Sequence, residues 1–212
     1  MSELGFTCVD VQPDRYAASP TLLFRLRITE TSGVKVHAIA LRCQIRIEPN
    51  RRRYDAAEGD RLFELFGDTP QWGDSLKPMQ FALVGLMVPS FTGQTEIDVP
   101  VPCTYDFEVG AAKYFHSLRS GEIPMLLLFS GTLFKKDDSG FQVEQVPWHL
   151  EDRYRVPVSV WEELMDRFFP GSGWIRMRRD TLDALQRYKG RNVLSNWDEA
   201  FAALLKQAGE EP

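Results

Sequence analysis

The sequence predicts a mainly β, α+β protein: an antiparallel β-sandwich over residues 1–157, with a small C-terminal helical subdomain over residues 158–212 packed on it. Three observations predict this. Up to Pro157, apolar residues alternate with polar ones at a period of two, as in strands with one buried face. Proline, glycine and aspartate clusters punctuate those runs. Beyond Pro157 the apolar period becomes helical. Strands first and helices last is the order of a sandwich with an appended helical part rather than of alternating β-α units.

Residues 6–11 form a short first strand. Gln12-Pro13-Asp14 and Ser19-Pro20 then lead into the best-defined stretch, residues 20–49. There Leu22, Phe24, Leu26 and Ile28 alternate with Leu23, Arg25, Arg27 and Thr29. After Thr31-Ser32-Gly33, the residues Ile39, Leu41, Cys43, Ile45 and Ile47 alternate with polar ones on the way back. The expectation is a hairpin closed by a tight turn. Val34, Val36 and Ala38 sit on the opposite parity, so a β-bulge or bend is expected near residues 37–39.

A helix is expected over 56–66, then a loop over 69–78 and strands over 81–88 and 96–101. Pro100 and Pro102 suit the latter to an edge strand or a strand end. Tyr105, Phe107 and Val109 suggest a further strand, and 111–118 a short helix. Residues 125–134 read as a buried strand, and 141–145 return antiparallel to it. One more strand is expected over 150–156. Ser159-Val160-Trp161-Glu162 has the spacing of a capping box. Asp180 and Ser195 are placed to cap two further helices, with Gly190 and Gly209 at their ends.

The chain has 212 residues, a net charge of −5 and 26% charged residues, so nothing marks it as a nucleic-acid or anionic-membrane binder. No apolar run is long enough for membrane insertion. The first residues carry neither a basic region nor an apolar core of the secretory type. Together with three scattered cysteines, this leads to the expectation of reduced thiols in a cytoplasm.

No catalytic pattern emerges. His37, His116 and His149 are scattered, with no metal-ligand spacing. Neither a nucleophile elbow nor a phosphate-binding glycine loop occurs. No cofactor or metal is expected. The polar residues of most interest are Arg51, Arg52 and Arg53 after a strand, and Arg176, Arg178 and Arg179 before a helix. Guanidinium groups suit an anionic or acidic-partner surface. Trp72 and Trp174, in or beside loops, are candidate aromatic contacts for a partner. The leading reading is a non-catalytic protein-interaction module. A small-ligand binder for a sugar or an anion is the alternative, and an enzyme built on Cys103, His116 and Asp106 is a third.

Three segments carry a resemblance: Pro20-Thr21-Leu22-Leu23-Phe24-Arg25-Leu26-Arg27, Leu41-Arg42-Cys43-Gln44-Ile45-Arg46-Ile47-Glu48-Pro49, and Phe169-Pro170-Gly171-Ser172-Gly173-Trp174. Over nearly its whole length the chain resembles an uncharacterised bacterial family of unknown function. Members of that family are often encoded beside uptake nickel–iron hydrogenase genes. The resemblance implies an accessory role, with a hydrogenase subunit or maturation factor as partner. It carries over no catalytic residue. The sequence has neither the clustered cysteines of an iron–sulfur site nor a histidine-rich nickel store.

Overall fold

The computed structural model describes residues 4–104, 106, 109–137, 140–173 and 175–210. It divides into two compact units, Met1–Trp174 and Ile175–Pro212.

In the first unit, β1 (Leu4–Pro13), β2 (Thr21–Glu30), β3 (Val36–Ile47), β4 (Met79–Val88), β5 (Gln94–Pro102), β6 (Glu122–Asp137), β7 (Gly140–Gln145) and β8 (Glu151–Pro157) form two antiparallel sheets. One sheet has the order β1-β2-β5. The other runs β4-β3-β6, with β7 and β8 both paired to the far side of β6. The mainly β, α+β class is as the alternation indicates.

β2 and β3 are each the central strand of a different sheet. Leu22, Phe24, Leu26 and Ile28 are buried, as are Ile39, Leu41, Cys43, Ile45 and Ile47, and all join one core. The expected hairpin is therefore not formed. β2 pairs with β1 and β5, and β3 with β4 and β6, so the connection at 31–35 is an arch from one sheet to the other. Alternation marks which face of a strand is buried. It does not say whether two such strands lie side by side or face to face.

The expected bulge is present. The β3–β6 register shifts between Val36 and Ala38, which places His37 in the bulge and lets both Val36 and Ile39 face the core. β5 is a sheet edge, as its prolines require. On the outer face of its sheet, Arg25 pairs with Asp98 and Arg27 with Glu96, each pair in register across β2 and β5.

The arch is anchored by charge. Glu30, at the end of β2, is almost fully buried; its carboxylate accepts from Ser32 in the turn and lies 3.9 Å from Lys135 Nζ on β6. The far edges are joined too. β1 bulges between Cys8 and Asp10, and the Cys8 amide donates to the Asp152 carboxylate of β8 at 2.7 Å.

β6 is long enough to serve two partners in succession. β8 pairs with residues 122–128 and β7 with residues 132–137. Gly131 lies between them at φ +142°, and a Cβ there would sit 2.0 Å from the Ala40 carbonyl oxygen. Only glycine fits this approach.

Three longer helices complete the first unit, with the single-turn α2 (Trp72–Ser75) between the first two. α1 (Ala56–Phe66) has the expected bounds and is capped by Asp55, which accepts from the Glu58 amide at 2.7 Å. α3 (Gly110–Ser117) buries Tyr114 and Phe115. α4 (Val158–Phe168) buries Val158, Trp161, Leu164 and Met165 in the same core. The expected capping box at Ser159 does not form. β8 runs straight into α4, and the Val158 amide is taken by the Gly121 carbonyl at 2.9 Å, so the helix begins before the serine. The strand expected at Tyr105 and Phe107 lies outside the described residues.

The second unit contains α5 (Arg179–Arg191) and α6 (Trp197–Ala208). Its caps differ from expectation by one or two residues. Asn196 rather than Ser195 caps α6, accepting from the Glu199 amide at 2.8 Å. Asp180 lies in the first turn of α5, and Gly190 lies within the helix. Gly209 closes α6 at φ +84°, as expected.

Gly131→Ala should test the double pairing of β6. Clash and backbone strain together are expected to cost about 3 kcal/mol or more in urea unfolding.

Candidate interaction surfaces

The two arginine clusters have different environments. Arg52 is committed to the fold. Its guanidinium pairs with Glu58, donates to the carbonyls of Ser120 at 2.7 Å and Glu122 at 3.0 Å, and lies over the Tyr54 ring. Glu58, itself buried, also accepts from the Arg119 amide at 2.9 Å. This buried ion pair ties α1 to the turn before β6. Arg51 pairs with Glu48 at 3.0 Å. Arg53 is exposed, with no ion pair or hydrogen bond among the described residues. With Arg155 and Glu122 these residues line an open groove of mixed charge.

Beneath the groove, the Tyr54 hydroxyl donates to the Pro49 carbonyl at 2.7 Å and accepts from Tyr114 at 2.8 Å. Burial pushes the Tyr114 phenol up to about 12, so it stays a donor. Trp72 covers this cluster. Its indole N–H donates to the Gly67 carbonyl at 3.0 Å, and its ring meets Tyr54 and Phe66 edge-on. The indole is thus occupied by packing.

Arg176, Arg178 and Arg179 are exposed in the second unit. Arg178 grips Asp180 through two hydrogen bonds, at 2.8 and 3.3 Å. Arg176 and Arg179 have no such partner among the described residues. Arg178 stands at the N-cap of α5 and Arg179 opens the helix. Trp174 lies outside the described residues.

Of the residues considered for catalysis, Cys103 and His116 stand in different surroundings. Cys103 donates to the Val101 carbonyl, and burial pushes its thiol up to about 12. Cys8 and Cys43 are raised to about 12 for the same reason. His116 stands edge-on to Trp161 in a separate groove with Arg61, Arg119 and Glu162, and burial lowers its pKa. Cys103 does not line that groove. Among the described residues no three His, Cys, Asp or Glu side chains gather as metal ligands, and no helix is long and apolar enough to cross a membrane.

Trp148, between β7 and β8 and beside Pro147, has the loop setting in which the sequence suggests a contact tryptophan, and it is 90% exposed. Sequence reasoning missed Leu83 and Met87, which stand on the outer face of β4 at 60% and 62%. Their signal was the run 81–88, apolar on both parities.

Fold and surfaces together define a mainly β, α+β protein of two antiparallel sheets with a helical C-terminal unit. A family model, the family of unknown function DUF6084, matches residues 1–212, and the chain belongs to that family. No curated protein matches it. Solved structures with a partial likeness include a β-glucosidase from Kluyveromyces marxianus, 5% identical with a TM-score of 0.27 over 73% of this chain and 15% of that one. Another is β-glucosidase 3B from Thermotoga neapolitana in complex with α-D-glucose, 11% identical with a TM-score of 0.27 over 73% and 17%. The chain spans less than a fifth of either enzyme, and likenesses this distant bear on neither fold nor activity.

Two expectations follow. Arg52→Ala leaves Glu58 buried and unpaired and should cost roughly 3–5 kcal/mol in chemical denaturation, whereas Arg53→Ala should stay within about 0.5 kcal/mol. At pH 8 the three thiols should react with a disulfide reagent orders of magnitude more slowly in the native chain than in urea, because each stays protonated.

Proposed function

We propose that this protein is a non-catalytic docking module whose second unit binds an acidic protein surface. The observation that carries the reading is the placement of charge at α5. Residues 175–191 hold six arginines and lysines against two aspartates, in a chain whose net charge is −5. Arg178 and Arg179 occupy the start of α5, where the helix dipole disfavours cations. Arg178 is answered there by Asp180, but local stability does not explain Arg179. Guanidinium groups that meet carboxylates on a partner do. Arg176 and Arg179 supply the fork, and Trp174, two positions before Arg176 in the sequence, is the proposed aromatic anchor. The partner implied by the resemblance is a hydrogenase subunit or a maturation factor, which makes the module an accessory of hydrogenase assembly.

The test is affinity capture of the tagged chain from its native host. Recovery of a hydrogenase subunit or maturation factor, reduced at least about tenfold by Arg176→Glu with Arg179→Glu and weakened by salt, is the expected result. Capture indifferent to both charge reversals would refute the docking surface. A captured partner from another pathway would remove the hydrogenase assignment and leave the surface standing.

A further inference from the structure

The four sheet edges of the first unit are not treated alike. β5 carries Pro100, Pro102, Glu96 and Asp98. β1 is broken by its bulge, and its Cys8 amide is taken by Asp152. On the far side of β6, β7 is six residues long and four of the seven residues of β8 are charged. Each of these edges is short, charged, kinked or proline-blocked, as edges that must not pair usually are.

β4 is bulged against β3 at Phe81, near its start, but over residues 82–88 it has none of these devices. Its ten residues, MQFALVGLMV, include no charge and no proline. It pairs with β3 on one side, and among the described residues no backbone hydrogen bond reaches it from another strand on the other. Leu83 and Met87 project from its outer face, more than half exposed, on either side of Gly85.

We propose that β4 pairs antiparallel with β4 of a second copy of this chain, about a two-fold axis at Gly85. The strand is self-complementary in this register and in no neighbouring one. Gly85 faces Gly85 of the second copy, and Leu83 faces Met87 and Met87 faces Leu83 on the outer side. On the inner side Val84 faces Leu86. Shifting the axis by one residue places Leu83 against Gly85 or Pro89 instead, and the exposed pair is left uncovered. No like charges meet along the strand, and a Cβ built on Gly85 has nothing within 4 Å, so the outer face has room at the axis. Pairing joins the two larger sheets into one continuous sheet and covers the side chains that a lone edge leaves in water.

Sedimentation equilibrium of the full chain should give twice the monomer mass of 24.3 kDa. Leu83→Lys with Met87→Lys should weaken association at least about tenfold with an unchanged circular dichroism spectrum, because like charges then oppose each other across the axis. Gly85→Cys reports the register. Residues directly opposite in an antiparallel pair have Cβ atoms about 4.5–5.5 Å apart, so mild oxidation should join two copies by a reducible bond. The wild-type chain, whose Cys8 and Cys43 are buried, should not be joined. A monomer at all concentrations up to about 100 μM overturns the proposal. So does a dimer that persists in the double lysine variant, or one in which Gly85→Cys never cross-links.

Discussion

The structure depends on one constraint: two successive strands each bury one complete face, and those faces oppose each other. β2 and β3 are central in separate sheets, so every other strand is added to one of them or to β6 beside β3. Burying a Leu, Ile or Phe side chain stabilises the fold by roughly 1.5–3 kcal/mol. Eight such inward side chains, together with Cys43, come to the core from these two strands. The turn of the arch cannot rely on hairpin hydrogen bonds, because none cross from β2 to β3. Glu30, Ser32 and Lys135 supply the connection instead, through a buried charged contact that spans the two sheets. A carboxylate buried at that depth is tolerable only with a cation beside it, so β6 is held in register with the arch as well as with β3.

Much of this was legible in the sequence, and the failures have a common cause. Strand faces, the bulge at His37, the edge position of β5, the bounds of α1 and the return of β7 on β6 follow from side-chain period and from proline and glycine. Those signals are local. The hairpin between β2 and β3, and the capping box at Ser159, failed because a remote group decided them. β1 and β5 hold the ladder positions that a hairpin partner would use, and the Gly121 carbonyl takes the Val158 amide, so that the helix starts ahead of Ser159. The buried pair of Arg52 with Glu58 was illegible for the same reason: three consecutive arginines give no sign that the middle one turns inward.

The arginines show how position decides the use of one residue type. Arg52 meets a buried carboxylate, two carbonyls and an aromatic face, and each of its contacts lies within the first unit. A planar, permanently charged group can satisfy several fixed acceptors at once, and it is used here as a structural tie. Arg176 and Arg179 have the same chemistry with no ion pair or hydrogen bond for it among the described residues. Arg179 stands in the first turn of α5, where the helix dipole opposes it.

The second unit sharpens this contrast. α5 and α6 are 13 and 12 residues long, and Ala200 is their one buried residue among those described. Helices of that length are marginal in water by themselves. Gln207 bonded to the Tyr188 hydroxyl, and Lys189 over the Trp197 ring, are surface contacts worth little. An element so lightly stabilised can be ordered by what it binds, and the binding free energy is then reduced by the cost of that ordering. The deep core of the arch therefore secures the first unit, and on the proposed reading the arginine-rich α5 of the lightly buried second unit is the part suited to reversible contact.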